Sequence, residues 1–512
     1  MSIRLCLEAL GVLVGGGILA LLAGRSPRVS SAVGSSSAVI GSVLGLFAAA
    51  DVLRSGVTGR MSVPWNVPYG SFTLEIDALA AWFLLPVFGL SALAAVYGHE
   101  YLMAWRERRS LGPPWFFFNL LVAGMAMVIV SANAVLFLVA WEVMALASYF
   151  LVTFESDQEA VREAGWTYLV ATHLGTAFLL AMFCLLGGGK DSLDFDRFGP
   201  ASGGVREGAG AIFLLALIGF GTKAGFVPMH VWLPDAHPAA PSHVSAVMSG
   251  VMIKTGIYGL VRTLGFLGAP APWWGWTLIG IGLLSGLVGI LFALGQRDLK
   301  RLLAYSSVEN VGIIAMGLGL SLVGRAAGSV PIALLGMAGA LLHVLNHALF
   351  KGMLFLGAGA VLHATGTREM DRLGGLWRTM PWTGAAFAVG ATAIAGLPPL
   401  NGFAGEFLIY LGAFSAAATA APESAAPALA IIGGLALVGG LAAACFAQAF
   451  GLIFLGSPRS EAAAHAHPTA PAMRILAGVV ESTMARLRLL RIPQLLVGAG
   501  SLSTVALVLL LR

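Results

Sequence analysis

Long apolar runs without any charged side chain constrain this chain more than any other feature. Leu84–Val96, Leu120–Val139 and Ile431–Ala444 contain no Asp, Glu, Lys or Arg. A hydrocarbon core about 30 Å thick needs about 20 apolar residues per helix, so these runs predict membrane-spanning helices. Only 10% of all residues are charged, against about 25% in ordinary globular proteins. The pattern excludes a soluble enzyme, a secreted disulfide scaffold and a disordered regulator.

The order of the apolar blocks predicts an all-α polytopic membrane protein with about fourteen transmembrane helices. The fourth and fifth blocks are separated only by the turn signal Ser131-Ala132-Asn133. The eleventh and twelfth are too long for one straight helix, so breaks are expected inside both. The blocks lie near 5–24, 33–53, 77–97, 115–131, 132–154, 165–187, 209–227, 241–266, 273–295, 299–323, 329–363, 383–418, 427–455 and 494–511.

The distribution of basic residues predicts the orientation. Seventeen of the 29 Lys and Arg residues fall in the connections after odd-numbered spans, and nine fall on the other side. The positive-inside rule then predicts that both termini lie outside the cytoplasm. The expected location is the cell (inner) membrane of a bacterium or archaeon, as a multi-pass protein. The net charge of +5 reflects this topology, and no nucleic-acid partner is expected because no basic run is interleaved with aromatic residues.

Prolines interrupt the seventh and twelfth spans. Pro228, Pro234, Pro238 and Pro241 follow the seventh, and the sequence 396–399 (GLPP) divides the twelfth. An offset of five spans reverses direction across the membrane, and paired broken helices in corresponding positions indicate an inverted-repeat transporter. The alternative is that proline is simply common in membrane helices.

Six of the ionisable side chains inside the predicted spans stand among uncharged neighbours, where a charge costs at least about 2.5 kcal/mol on insertion scales. For any one of them a structural ion pair or a snorkelling side chain is a reasonable explanation. For the whole set, a proton relay of carboxylates, lysines and histidines is the better interpretation. The six are Glu142, Lys223, Lys254, Glu309, Lys351 and Glu406.

Histidines extend this set. His343, His347 and Lys351 are spaced i, i+4 and i+8 and therefore share one helical face. The first two have the spacing of a zinc pair, but no HExxH motif or third ligand is evident, so no metal site is expected. His230 and His237 lie among the prolines and have either a proton-entrance or a capping role. No nucleotide-binding, redox-centre or haem-attachment motif is found, and no cofactor is expected.

Four stretches closely resemble the antiporter-like, proton-translocating membrane subunits of respiratory complex I, of hydrogenase-4 and formate hydrogenlyase, and of Mrp antiporters. HPAAPSHVSA and SVENVGI look most like the hydrogenase-4 and formate hydrogenlyase members. The stretches are GFGTKAGFVPMHVWLPDAHPAAPSHVSAVMSGVMIKTGIYG (219–259), QRDLKRLLAYSSVENVGII (296–314), HVLNHALFKGMLFLGAGAVL (343–362) and LPPLNGFAGEF (397–407).

The resemblance implies a fourteen-helix core with two inverted five-helix repeats and broken helices 7 and 12. The implied divisions are N-terminal helices (1–114), a first repeat (115–266), a second repeat (273–455), and a polar linker with the last helix (456–512). The sequence departs from this pattern in its C-terminal part, which is shorter than the C-terminal extension that hydrogenase-4 subunits usually carry.

The resemblance also implies roles for the ionisable residues. Glu142 and Lys223 would be the paired residues of a first half-channel, and Lys254 would link them to a central axis. His347 and Lys351 would continue that axis. Glu406, where some relatives have Lys, would end the second half-channel.

The expected function is proton translocation coupled to electron transfer in a peripheral hydrogenase or dehydrogenase arm, beside other membrane subunits. The chain itself would have no redox centre or catalytic site. Two alternatives stay open: a cation/proton (Na⁺/H⁺) antiporter subunit of the Mrp type, and a non-conducting membrane scaffold of a hydrogenase.

Overall fold

The computed structural model describes residues 1–189, 192–199, 206–419 and 422–468. The chain divides into two compact units. Unit 1 comprises Met1–Ala224 and Ala239–Gly268, and unit 2 comprises Gly225–Pro238 and the described residues from Ala269 onward. In the described residues, twelve helical segments are long and apolar enough to cross a membrane. The prediction of an all-α polytopic membrane protein is therefore confirmed at this level.

Helices dominate unit 1, and small residues bring them together. A Cβ at Gly41 would lie 2.7 Å from the Leu13 side chain, so the first two helices pack closely. The helices are α1 (Ser2–Leu22), α2 (Pro27–Ser55), α3 (Ala78–Met103), α4 (Gly112–Val130), α5 (Ala134–Val152), α6 (Glu159–Gly187) and α7 (Ala209–Ala224). After α8 (Leu233–Ala239), which begins in unit 2, come α9 (Ser242–Val247), a π-helical turn (Met248–Met252) and α10 (Lys254–Phe266).

The turn predicted between the fourth and fifth spans is confirmed. The helix α4 ends at Val130 and α5 begins at Ala134. Asn133 caps α5, because its side-chain oxygen accepts hydrogen bonds from the backbone of Val135 and Leu136. An Asn at this position satisfies backbone donors that the helix itself leaves free.

A short hairpin that the sequence analysis did not predict joins α2 to α3. Strands β1 (Gly59–Val63) and β2 (Phe72–Ile76) pair antiparallel. Asp194 anchors this region, since its carboxylate accepts hydrogen bonds from Ser71, Asn133 and Ser192. Partial burial alone would raise the pKa of Asp194, but the three hydrogen bonds keep that pKa below its ordinary value. The ionised carboxylate therefore ties the hairpin to the start of α5.

A buried ion pair fixes α10 against α3. Asp77 caps α3, because its carboxylate accepts a hydrogen bond from the backbone of Ala80. The same carboxylate accepts hydrogen bonds from both terminal nitrogens of Arg262, at 2.6 and 2.8 Å. Arg262 also donates to the hydroxyl of Tyr258. A bidentate arginine–carboxylate pair fixes the relative orientation of the two side chains in addition to pairing their charges. The pair therefore orients the helix that begins at Lys254.

Unit 2 is also helical. A Cβ at Gly312 would lie 2.5 Å from the carbonyl oxygen of Gly282, so glycine is required where these two helices touch. The helices are α11 (Pro272–Leu294), α12 (Leu299–Ala326), α13 (Val330–Thr365), α14 (Pro381–Ile394), α15 (Asn401–Thr419), α16 (Pro422–Phe454) and α17 (Glu461–Ala464).

The two predicted spans in which a break was expected have different outcomes. The break expected in the eleventh was wrong, because α13 runs uninterrupted through 36 residues. The twelfth consists of two helices, α14 and α15, and neither is among the twelve candidate spans. The fourteenth span (494–511) and most of the linker (456–493) lie outside the described residues.

Candidate functional site

Lys223 occupies the last turn of α7 in unit 1 and is buried. Its ammonium nitrogen donates to the hydroxyl of Tyr168 at 2.9 Å, and that hydroxyl lies 2.5 Å from the Ser148 hydroxyl. The same nitrogen lies 5.6 Å from the ring centroid of Trp141. The lysine is thus surrounded by aromatic faces and hydroxyl groups rather than by a carboxylate.

Glu142 points to a different side of α5. It accepts a hydrogen bond from Thr176 at 2.6 Å, and His173 Nε2 lies 3.4 Å from its other carboxylate oxygen. No ion pair within 4.0 Å joins it to Lys223 in the described part of unit 1. Successive helical residues are about 100° apart, so Trp141 can contact Lys223 while Glu142 turns toward α6. The two residues expected to pair therefore lie in neighbouring but separate clusters.

Lys254 begins α10, directly after the π-helical turn. It is buried, and its nitrogen donates to the carbonyl of Ser249 within that turn at 2.6 Å. The helix lies against α7, since a Cβ at Gly256 would approach the carbonyl of Phe220 to 2.5 Å. Single π-helical turns inside α-helices are frequent at functional sites because they displace backbone carbonyls from the regular ladder.

In unit 2, Lys351 lies in the interior of α13 and is fully buried. Its nitrogen donates to the carbonyl of Leu303 at 2.7 Å and to the hydroxyl of Ser306 at 2.5 Å, both on α12. His347 lies one turn before it and is also buried. The uninterrupted α13 keeps these residues on the common face that their spacing predicted.

Glu309, Asn310 and His343 form the next cluster. The Asn310 amide donates to the Glu309 carboxylate at 3.0 Å, and its oxygen lies 3.0 Å from His343 Nε2. All three side chains are buried. Ser306, which holds Lys351, is one helical turn before Glu309 and Asn310, so the two clusters adjoin along α12.

Glu406 lies in α15, shortly after the interruption between α14 and α15, and is buried. A Cβ at Gly396 would lie only 2.6 Å from its carboxylate oxygen, and Gly396 has a φ of +65°. Glycine is therefore needed both for the backbone conformation and for space beside the carboxyl group. Lys351 and Glu406 both interact electrostatically with Glu309.

His230 and His237 follow the end of α7. His237 is fully buried, with its ring 5.7 Å from that of Trp232 and 6.1 Å from that of Phe355. Phe355 is one helical turn beyond Lys351. His230 lies in the 3₁₀ turn Met229–Trp232 and is half-buried.

The sequence analysis missed several polar groups at these sites. Tyr168, Ser148 and Thr176 carry no charge, so a search for ionisable residues inside spans passes over them. Lys300 was counted among the connecting basic residues, yet only 2% of it is exposed. Its position inside the predicted span 299–323 was the sequence feature that could have indicated its burial.

Unit 1 therefore holds Glu142, Lys223 and Lys254 in separate hydrogen-bonded groups, and unit 2 holds Lys351 beside the cluster of Glu309, Asn310 and His343. Such groups can pass protons, because each amine, carboxylate or imidazole has two protonation states. In the described residues, no group of three His, Cys, Asp or Glu side chains is arranged to hold a metal ion.

Comparison with known proteins identifies the family. Residues 131–421 match the family described as NADH:quinone oxidoreductase/Mrp antiporter, TM. Hydrogenase-4 component B of Escherichia coli (strain K12) is 41% identical over 433 residues, which cover 83% of this chain and 63% of that protein. Formate hydrogenlyase subunit 3 of the same strain is 36% identical over 457 residues, covering 88% and 72%.

A solved structure supports the same grouping. A chain in the Mrp complex from Dietzia sp. DQ12-45-1b superposes with a TM-score of 0.81 at 26% identity, covering 98% of this chain and 52% of that one. The chain thus spans less than two thirds of hydrogenase-4 component B and about half of the Mrp chain. On its sequence match and its fold, the chain belongs to the NADH:quinone oxidoreductase/Mrp antiporter family of transmembrane subunits.

Proposed function

We propose that the chain is a proton-translocating subunit of a complex I-like or hydrogenase-4-like oxidoreductase complex. Protons would move through its buried Glu, Lys and His residues, driven by electron transfer in a partner arm. One observation carries the proposal: Lys351 is hydrogen-bonded to Ser306, and one helical turn further Asn310 bridges Glu309 and His343. An apolar helix pair has no structural need for so many buried ionisable groups, each of which costs at least about 2.5 kcal/mol as a charge.

The partners of Lys351 favour a relay over a structural ion pair. A lysine retained for an ion pair would be expected to bond a carboxylate directly, whereas this amine bonds a carbonyl and a hydroxyl. Both can accept from the neutral amine as well as from the ammonium, so the site tolerates loss of the proton. Glu309 still interacts electrostatically with Lys351, so the charge on one group affects the energy of the charge on the other.

The energy required is within reach of such groups. Moving one proton against about 150 mV requires about 3.5 kcal/mol. This corresponds to a change of about 2.5 pKa units, and burial together with neighbouring charges can change a pKa by that amount. Small movements that alter the surroundings of a buried lysine or glutamate could therefore transfer the energy of electron transfer to a proton.

We assign the relay to six main residues, and we propose that the chain has the architecture that the resemblance implies. The first half-channel uses Glu142, Lys223 and Lys254, and the second uses His347, Lys351 and Glu406. Glu309, His343, His230 and His237 are additional members. The interruptions after α7 and after α14 would be the broken helices of two inverted five-helix repeats within residues 115–266 and 273–455, with both termini outside the cytoplasm.

Glu142 and His173 indicate where a neighbouring membrane subunit binds. Their side chains are 30% and 52% exposed, and His173 lies midway along α6. An uncovered carboxylate–imidazole pair at that depth would face lipid tails, which offer no hydrogen bonds. We therefore infer that a second subunit with a polar side chain covers this face of α5 and α6.

Photo-crosslinking tests this interface. A photoreactive amino acid at Val170 or Leu174, which are 50% and 60% exposed beside His173, should crosslink to a membrane protein that co-purifies with the chain. The same group at the buried Leu179 should give no intermolecular product. Crosslinks from Val170 and Leu174 to lipid alone would contradict the interface.

Proton flux tests the function itself. The complex purified from native membranes is reconstituted into liposomes that contain a pH-sensitive dye, and a potassium diffusion potential is applied. Glu406→Gln should lower the initial rate of proton movement by at least about tenfold, because glutamine cannot carry a proton. Glu461→Gln, which changes an exposed residue of α17, should leave it within about twofold.

The same liposomes separate the two alternatives. Uptake of ²²Na⁺ that depends on a pH gradient and disappears with Glu406→Gln would favour the Mrp-type antiporter, for which the Mrp complex from Dietzia is the structural precedent. Full proton flux in variants that lack the buried charges would favour a non-conducting scaffold, with the flux carried by other subunits.

A further inference from the structure

Lys300 is a buried lysine that the relay above does not use. It lies in the first turn of α12, and only 2% of it is exposed. Its nitrogen donates to the carbonyl of Pro238 at 3.3 Å, and Arg368 donates to the same carbonyl at 2.7 Å. Pro238 follows His237 in the chain, so Lys300 lies beside the proline-rich segment that follows α7 in the sequence.

The surroundings connect this lysine to the interior of unit 2. One turn further along α12, the carbonyl of Leu303 accepts the hydrogen bond from Lys351. From the other side, the ring of His237 contacts Phe355, one turn beyond Lys351 on α13. Lys300 therefore lies one helical turn before a carbonyl that binds Lys351, and His237 contacts a ring one helical turn beyond Lys351.

Charged residues line the end of unit 2 at which α12 begins. Arginines engage carboxylates there, and Lys300 is buried in the same turn of α12 as one of these arginines. The pairs are Arg301–Asp235 at 3.2 Å, Arg368–Asp298 at 3.0 Å and Arg297–Asp371 at 3.1 Å. These pairs are partly exposed to solvent, so water reaches the outer side of this layer.

We propose that Lys300, together with His237, is an entrance through which protons from the solvent reach Lys351. The proposal rests on the proposed function and adds a site to it. The Lys300 ammonium transfers its proton to the His237 imidazole or to an intervening water, and this leaves a neutral amine. A proton from the solvent side then restores the ammonium, so no other reactant is consumed.

Replacement by arginine distinguishes a titrating lysine from a structural cation. Arginine keeps the positive charge and can donate to the carbonyl of Pro238, but it does not release its proton in proteins. A structural role would survive Lys300→Arg, whereas an entrance would not. Lys300→Met removes both the charge and the proton.

The experiment measures proton flux in the reconstituted complex between pH 6 and pH 9. Lys300→Arg and Lys300→Met should both lower the initial rate by at least about tenfold, and the loss should grow as the pH rises and protons become scarcer. Arg378→Gln is the control, because it changes an exposed arginine of unit 2 that lies outside the charged layer at the start of α12. It should remain within about twofold of the unchanged protein at every pH.

Gel filtration of each variant complex reports assembly. If neither Lys300 variant assembles, His237→Asn tests the same entrance and should reduce the rate with the same pH trend. A wild-type rate and pH profile in Lys300→Arg, or in His237→Asn when the lysine variants do not assemble, would overturn the entrance. If Lys351→Met also conducts normally, the proposed function fails as well. Loss of flux in Lys351→Met alone rejects only the entrance.

Discussion

Lys223→Ala should abolish or strongly reduce proton translocation while the protein remains inserted and assembled. The change removes the amine that donates to Tyr168 at 2.9 Å and so interrupts the first cluster. It also removes a buried charge that costs at least about 2.5 kcal/mol, so folding should not suffer much. The Tyr168 hydroxyl keeps its contact with Ser148, so it is not left without a hydrogen-bond partner.

Proton flux in liposomes measures the effect, and gel filtration of the complex measures assembly. The rate should fall by at least about tenfold. Leu214→Ala, a change at an exposed position of the same helix, serves as the control and should stay within about twofold. An assembled Lys223→Ala complex with full flux would remove Lys223 from the relay.

Lys351→Met should have an equally large effect in unit 2. Methionine resembles the lysine stem in size and apolar character, so packing within α13 should be kept. The hydrogen bonds to Leu303 and Ser306 are lost, and Glu309 loses the cation that acts on it. Because the amine that takes up and releases the proton is gone while the packing is kept, the relay should stop rather than the fold collapse.

The same flux assay applies, with Ser306→Ala as an intermediate case. That variant keeps the amine and its bond to the Leu303 carbonyl but loses the hydroxyl, so it should reduce flux by less than Lys351→Met. Equal, wild-type rates in both variants would show that protons do not pass this point. A thermal unfolding curve in detergent close to that of the unchanged protein would confirm that Lys351→Met is folded.

Some local features could be predicted because they depend on neighbours in the chain. The turn at residues 131–133 was predicted from a single polar cluster, and the cap by Asn133 accounts for it. The shared face of His343, His347 and Lys351 follows from helical spacing alone. The break expected in the eleventh span was wrong, because length by itself does not bend a helix. At 1.5 Å per residue, α13 is about 54 Å long and extends beyond a hydrocarbon core of about 30 Å.

Other features depend on contacts between distant segments. The hairpin was not predicted because its strands have only five residues each, and Asp194 anchors it from more than 100 residues away. The pairing of Glu142 with Lys223 was expected from resemblance. That pairing stays a prediction; in the structure, Glu142 contacts Thr176 and His173, and Lys223 contacts Tyr168.

The sequence by itself determined the class of this protein, because uncharged runs about 20 residues long have one stable environment, and ionisable residues inside them have few uses. It also identified most of the ionisable side chains that we assign to the relay. Only the tertiary structure decided which of them are neighbours. A difference of one position rotates a side chain by about 100°, and this sets Glu142 toward α6 while Trp141 contacts Lys223. Lys300 is likewise buried and bonded to a carbonyl 62 residues away in the chain, and no local sequence pattern predicts that contact.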